Sequence, residues 1–365
     1  MNYNTEKQTD AAILVGVNIT ERELDELAAL CETCGIQTVG RTVQQRRDID
    51  VTFYIGRGKV DEVRDLVSGT GATCVVFDVE LSGSKVRNLE DALDVPVLDR
   101  SKVILDIFAQ RAQSSEGKMQ VELAQLKYNS TRLIGSGGKM AKMKTSVGMR
   151  GPGEKKLELD KRTIRGQILA LEQKLAKLAE HRDLTRRGAA KSGKPRVCIV
   201  GYTNSGKSTL LNTIAKAGAP AEDKLFATLD PKTANVYIQF GQGGGTQILL
   251  TDTVGFINKL PHEFIRAFES TLDQARLADL LLHVVDISNP DYEKQIEVVN
   301  GVLCKIGAAH VPTILVYNKA DLNPTFAINT AKNANDQNAV IISAKQNRGI
   351  EELKQKILSR VNVVR

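Results

Sequence analysis

The apolar positions of this 365-residue chain change rhythm twice, and each change marks a different kind of structure. Near the N-terminus, short apolar runs at Ala12 to Val17, Val51 to Ile55, Thr73 to Phe77 and Val95 to Leu98 have the length and continuity of buried strands. Helical stretches are expected between them, near Glu21 to Cys34, Lys59 to Val67, Lys85 to Leu93 and Ser101 to Gln110. Thr20-Glu-Arg-Glu23 has capping-box spacing at the first of these. The alternation predicts a small α/β unit over residues 1–112 with a largely parallel sheet.

From residue 113 to 184 the runs give way to single apolar seams. Met119, Leu123, Leu126 and Leu133 keep a seven-residue rhythm, and Ile164, Ile168, Leu171, Leu175 and Leu178 recur at spacings of four and three. Two such helices joined by a flexible connector predict an antiparallel hairpin. The connector, residues 134–153, contains Gly135, Gly137, Gly138 and Gly148. From Lys127 to Arg150 the chain carries Lys127, Arg132, Lys139, Lys142, Lys144 and Arg150 and no acid. A solvated charged loop would share this composition, but long connectors in compact domains are usually functional or disordered, and one-sign charge on a stalk suits phosphate contact. Tyr128 is the lone aromatic of the stretch, which favours folded RNA over stacked single strands. Arg132, Lys139, Lys142, Lys144 and Arg150 are therefore the candidate RNA-contacting residues. Residues 185–196, including Arg186-Arg-Gly-Ala-Ala-Lys-Ser-Gly-Lys-Pro-Arg196, read as a basic linker.

Beyond residue 197, strand-like runs end in polar tips. Val197 to Val200 leads into Gly201, Tyr202, Thr203, Asn204, Ser205, Gly206, Lys207 and Ser208, followed by Thr209. A GxxxxGK[ST] loop between strand and helix turns several backbone N–H groups toward one point, where the helix N-terminus adds partial positive charge. Lys207 would reach β- and γ-phosphate oxygens, and the Ser208 hydroxyl would complete a Mg²⁺ shell. Gln247 to Thr251 ends in Asp252-Thr-Val-Gly255, where Asp252 would hold the metal through water and the Gly255 amide would touch the γ-phosphate. Thr228, within Lys224-Leu-Phe-Ala-Thr-Leu-Asp230, is the candidate switch threonine closing on Mg²⁺ and γ-phosphate, with Phe226 beside the nucleotide and Thr233 as the fallback.

The strand Thr313 to Tyr317 runs into Asn318-Lys-Ala-Asp321. A carboxylate at Asp321 accepts two hydrogen bonds from a guanine edge, for which adenine has no matching donors. Asn318 and Lys319 would brace the loops and cover the base, and in Val340-Ile-Ile-Ser-Ala-Lys345 the Ala344 amide, flanked by Ser343 and Lys345, would reach the base oxygen. Elements for phosphate, metal and base in this order resemble the GTPase superfamily, so a mostly parallel sheet flanked by helices is expected over 197–365.

Many GTPases keep a glutamine after the glycine of Asp252-Thr-Val-Gly255 to orient the attacking water, and this chain has Phe256. An apolar ring cannot hold water by hydrogen bonding. Intrinsic hydrolysis is therefore expected to be slow, relying on Lys207, Thr228 and Gly255 and on help from a docked partner, a monovalent cation, or both. Asn204 stands where cation-activated GTPases place a K⁺-coordinating asparagine; loop bracing is the alternative.

Composition narrows the remaining classes. A hydrophobic share of 42% with 25% charged residues describes a globular chain, and the net charge of +7 matters because it is concentrated. No apolar stretch approaches the roughly 20 residues that span a bilayer, and the N-terminus lacks a signal pattern, so a cytoplasmic protein without stable membrane insertion is expected. Cys31, Cys34, Cys74, Cys198 and Cys304 are scattered and read as reduced structural thiols. Gly56-Arg-Gly-Lys59 is a glycine-lysine turn that lacks full phosphate-loop spacing and reads as a helix start.

Four segments together resemble the HflX family of translation-associated GTPases: Phe53-Tyr-Ile-Gly-Arg-Gly-Lys-Val-Asp-Glu62, Gln120-Val-Glu-Leu-Ala-Gln-Leu-Lys-Tyr128, Arg150-Gly-Pro-Gly-Glu154 with Leu157-Glu-Leu-Asp-Lys-Arg162, and Asp252-Thr-Val-Gly-Phe-Ile257. The resemblance implies an N-terminal α/β subdomain, a helical hairpin and a GTPase domain. It also implies binding to the large ribosomal subunit, with the hairpin loop near the peptidyl transferase centre and its rRNA, and GTP-gated splitting or rescue of stalled or idle ribosomes. Roles in ribosome assembly or antibiotic resistance, or as a nucleotide-gated protein adaptor, remain open at this point. A monomer is expected, in a form without the extra C-terminal domain of many members, since the chain stops soon after the helix Gly349 to Val361.

Overall fold

The computed structural model describes residues 10–133, 152–190, 193–215, 225–240, 244–259, 269–324 and 338–363. It divides into two compact units, Met1–Gln110 with Val121–Leu175, and Arg111–Gln120 with Ala176–Arg365.

In the first unit, β1 (Ala11–Val17), β2 (Gln37–Gln44), β3 (Cys74–Phe77) and β4 (Val97–Asp99) form a sheet in the order β2-β1-β3-β4. All of its neighbours pair in parallel. The helices are α1 (Leu24–Cys34), α2 (Arg57–Thr70), α3 (Gly83–Leu93) and α4 (Arg100–Arg111). The capping box forms: the Thr20 amide and hydroxyl both donate to Glu23, at 2.8 and 3.0 Å, and a short turn then feeds α1. Ile13, Val15, Val63, Phe77, Leu89 and Val97 build the core, as expected of strands covered by helices.

One expected strand is not formed. Val51 to Ile55 is a turn, because the Asp50 carboxylate accepts the amides of Thr52 and Phe53 at 2.8 Å, and Val51 is 88% exposed. The missing strand is β2, an edge strand rich in Gln, Thr and Arg whose residues are mostly half-buried or exposed.

The unit also contains a buried ionic cluster around Asp99. Its carboxylate accepts Arg132 Nη2 at 2.5 Å, the Tyr128 hydroxyl at 2.8 Å and the amides of Leu81 and Lys102 at 3.0 and 2.9 Å. Arg132 further lies 4.2 Å from the Tyr128 ring centroid. Arg132, a candidate RNA contact from charge alone, is thus bound within the fold. Lys139, Lys142, Lys144 and Arg150 lie outside the described residues.

The seam residues fall on two long helices, α5 (Ser115–Leu133) and α6 (Pro152–Ala190). On α6, Leu171 is buried and Ile164, Ile168 and Leu175 are half-buried, whereas Leu178 is 36% exposed and leaves the seam. Lys127 Nζ meets Glu172 at 2.7 Å. α6 runs to Ala190, past the expected hairpin end at 184, so the first half of the supposed linker is helical.

In the second unit, β5 (Arg196–Gly201), β6 (Lys232–Phe240), β7 (Gly244–Asp252), β8 (Leu280–Asp286), β9 (Thr313–Asn318) and β10 (Ala339–Ile341) are ordered β10-β9-β8-β5-β7-β6. Only β6, paired with β7, is antiparallel. The described helices are α7 (Lys207–Ala215), α8 (Glu269–Arg276), α9 (Tyr292–Lys305) and α10 (Ile350–Val363). Strands after β5 continue on one side through β7 and on the other through β8, which makes β5 the topological switch point. In open α/β sheets, ligands bind outside the carboxyl end of that strand. The turn after β5 is the Gly201 to Ser208 loop, which leads into α7.

Candidate nucleotide-binding site

That loop bends in two left-handed steps, at Asn204 (φ 59) and Gly206 (φ 93). Asparagine tolerates this backbone better than most residues. At Gly206 a Cβ would stand 2.2 Å from Asn318 Nδ2, so a larger residue would expel Asn318 from its place. α7 begins immediately afterwards with Lys207, whose Nζ donates to the Tyr202 carbonyl at 2.7 Å. Burial pulls the Lys207 ammonium down to about 8, against the opposing pull of Asp252.

Beside the loop lies a cavity of 380 Å³. Thr203, Asn204, Gly206, Lys207, Ser208 and Thr209 form one wall, and Phe226, Thr228 and Gly255 another. Asn318, Lys319, Asp321, Ala344 and Lys345 close the far end. Gly201, Tyr202, Ser205, Asp252 and Ser343 are buried behind this lining. Residues spread from 201 to 345 along the chain thus meet at the carboxyl ends of the parallel strands of one sheet.

The far end is tied together by side-chain hydrogen bonds between loops. Asn318 is buried, donates Nδ2 to the Ser205 carbonyl at 2.8 Å and accepts the Ala344 amide at 3.0 Å. The Ala344 amide, expected at the base oxygen, is therefore held by Asn318. The Ser343 hydroxyl donates to Asp321 at 2.6 Å, fixing that carboxylate's orientation. Lys319 Nζ pairs with Asp286 at 2.6 Å. Asp286 escaped the sequence reading; its signal was an acid closing the apolar run Leu280 to Val285.

At the end nearer Ser208, three oxygens converge. Ser208 Oγ lies 2.7 Å from Asp252 Oδ2 and 2.9 Å from Thr228 Oγ1, and Thr228 Oγ1 lies 3.0 Å from the same Asp252 oxygen. The Ser208–Thr228 separation is that of adjacent oxygens in an octahedral Mg²⁺ shell, about 2.9 Å for bonds of about 2.0–2.1 Å, and Asp252 stands behind the pair, hydrogen-bonded to both. The other carboxylate oxygen, Asp252 Oδ1, is buried and has no hydrogen-bond partner among the described residues. Burial raises the Asp252 pKa above the usual carboxylate range, with Lys207 as the main opposing influence. A fully buried anion short of partners, beside two hydroxyls, fits a hard cation.

Gly255 sits against the phosphate loop: a Cβ there would be 2.9 Å from Thr203 Cα and 3.0 Å from Lys207 Nζ. Phe256, next in line, is 1% exposed. Its amide donates to the Gly201 carbonyl at 3.1 Å and its carbonyl accepts the Thr203 amide at 2.7 Å. The ring is not part of the cavity lining.

Comparison with known proteins decides what this arrangement belongs to. Residues 21–109 match the GTP-binding GTPase N-terminal model, 111–188 the GTP-binding GTPase Middle Region, and 196–319 the 50S ribosome-binding GTPase model. GTPase HflX of Caldanaerobacter subterraneus is 46% identical over 354 residues, covering 96% of this chain and 80% of that protein. The chain belongs to the HflX GTPase family. GTPase HflX of Escherichia coli is 40% identical over 358 residues, covering 97% of this chain and 83% of its own length. Among solved structures, the SsGBP and GDP complex aligns over 97% of this chain and 99% of its own, with 25% identity and a TM-score of 0.52. As an HflX GTPase the chain binds and hydrolyses GTP on a P-loop α/β domain.

Proposed function

We propose that this HflX GTPase uses GTP to gate its engagement with the large ribosomal subunit, near the peptidyl transferase centre, and so splits or rescues stalled or idle ribosomes in the cytoplasm. The observation that carries the gate is Thr228: its hydroxyl meets both Ser208 and Asp252 within 3.0 Å, yet it stands outside regular secondary structure, in the segment before β6. A residue so placed can hold a triphosphate state and release it afterwards. The ribosome as target is supported by the 50S ribosome-binding GTPase model over 196–319 and by the basic stretch of residues 134–153.

Each part of the nucleotide has a matching group. Lys207 and the loop amides would bind the phosphates, and Asp321, braced by Ser343, would read the guanine edge. Asn318 and Lys319 would brace the loops and cover the base. Ser208 and Thr228, with Asp252 through water, would hold Mg²⁺, which when bound neutralises developing charge on the phosphate oxygens. Since residue 256 is a buried phenyl ring, hydrolysis by the isolated protein is slow and the ribosome supplies the acceleration. Asn204, exposed at the cavity edge, is the K⁺ candidate; equal turnover in K⁺ and Na⁺ buffers would remove that assignment.

The deciding experiment is sedimentation of purified ribosomes with the protein and GTP, a non-hydrolysable analogue, or GDP. Free subunits are expected only with the triphosphates. Ribosome binding that ignores the nucleotide would defeat the gate, and a complex that survives nuclease digestion would point to a protein adaptor.

A further inference from the structure

Two residues after Thr228, Asp230 is fastened to the start of α5. Its carboxylate accepts the Gln113 amide at 3.1 Å, the Ser114 amide at 2.9 Å and the Ser114 hydroxyl at 2.5 Å. Ser114 in turn caps α5, accepting the Gly117 amide on its hydroxyl at 2.9 Å and the Lys118 amide on its carbonyl at 3.0 Å. The fit is close, since a Cβ at Gly117 would come within 2.6 Å of Asp230 Oδ1. Residues 111–120 belong to the same compact unit as Asp230. An acid at a helix N-terminus is also favoured by the helix dipole.

We infer that Asp230 is a positioning residue for GTP hydrolysis, which sets Thr228 through its grip on residues 113–114 and makes the start of α5 respond to the nucleotide. The inference rests on the reading of Thr228 as the switch threonine. Two residues of extended chain span at most about 7 Å. Leu229 between them is buried, and Phe226 on the other side is buried in a left-handed backbone at φ 54. Thr228 therefore cannot leave Ser208 and Asp252 without pulling on Leu229 and Asp230. By linkage, whatever stabilises the grip at 113–114 favours the closed threonine to the same degree. Acidity at residue 230 is not needed for chemistry, because the carboxylate is turned to backbone and hydroxyl donors rather than to the cavity.

The test uses the full chain with Asp230→Ala, Asp230→Asn, Ser114→Ala and Thr228→Ala. Affinities for GDP and for the β,γ-imido analogue of GTP, and single-turnover hydrolysis, are measured with saturating Mg²⁺. Asp230→Ala is expected to weaken the triphosphate analogue by at least about fivefold relative to GDP and to slow hydrolysis comparably. Asp230→Asn, which keeps an oxygen for the two amides, restores most of both. Ser114→Ala, which leaves Asp230 intact, shifts the same triphosphate-to-diphosphate ratio in the same direction. Hydrogen exchange at residues 113–118 is expected to be slower with the analogue than with GDP, and this difference vanishes in Asp230→Ala. Equal loss of both nucleotides, or exchange at 113–118 that ignores the nucleotide, would overturn the inference. If Thr228→Ala itself leaves hydrolysis unchanged, the reading of Thr228 fails; if Thr228→Ala is inactive while Asp230→Ala behaves as wild type, the positioning role alone fails.

Discussion

The side-chain amide of Asn318 donates to the backbone carbonyl of Ser205, 113 residues earlier in the chain, at 2.8 Å. The same side chain accepts the Ala344 amide, so three loops that follow three different strands are joined through one buried residue. Asn318→Ala would strand a carbonyl and an amide, and unsatisfied buried groups cost about 1–3 kcal/mol each. The expected result is a lower melting temperature together with loss of both GTP and GDP binding. Asn318→Asp should fare as badly, because the Ser205 carbonyl then faces a carboxylate oxygen.

Lys207 gives the nucleotide affinity a pH dependence. Burial disfavours its charge and pulls the ammonium down to about 8. Phosphate oxygens favour the charge, so the bound form keeps its proton to higher pH than the free form. Affinity is therefore full below about 8 and falls as pH rises through it, by up to about tenfold per unit. Titration calorimetry in buffers of different ionisation heat should show proton uptake on binding at pH 8.5 and little at pH 6.5. An affinity constant from pH 7 to 9.5 would contradict this.

Asp252 carries the opposite sign. Its folded pKa lies above the unfolded value because of burial, so its charge works against folding once pH exceeds the unfolded pKa. Asp252→Asn removes that burden while keeping an oxygen to accept Ser208 and Thr228. Without nucleotide the variant is expected to melt at or above the wild-type temperature, and to lose the extra stabilisation that Mg²⁺ adds to GTP. Thermal scans with and without chelator check both halves.

Asp99 tests a structural reading against an RNA-binding one. The carboxylate is fully buried and has four donors, Arg132 among them. Breaking a buried pair by removing one partner typically costs about 3–5 kcal/mol. Asp99→Ala should therefore destabilise strongly in chemical denaturation, and Arg132→Met, which also ends the charge pairing, should destabilise without changing the salt dependence of ribosome binding. Unaltered stability with a weakened salt slope would return Arg132 to the RNA-contacting set.

The nucleotide pocket was the most legible part of the chain because its groups sit at the ends of apolar strands, where spacing in sequence translates directly into position at the carboxyl ends of one sheet's strands. Gly206, Lys207 and Asp321 could be read that way. What joins them could not: Ser343 against Asp321 and Asp286 against Lys319 are contacts between separate loops, invisible to local pattern. The N-terminal sheet misled where side chain and backbone compete. Asp50 captures the amides that a strand over Val51 to Ile55 would need, and the polar edge strand Gln37–Gln44 has too weak an apolar alternation to announce itself. Arg132 was placed by charge, and only the fold shows a buried carboxylate waiting for it.

Phe256 is clamped by its own backbone between Gly201 and Thr203, with its ring sealed away from the cavity. No rotation of that side chain can bring a polar atom to the terminal phosphate, so a self-contained trigger at this position is absent by construction. On the proposed reading, the lifetime of the loaded protein is therefore set by the surface it docks on and not by its own residue 256.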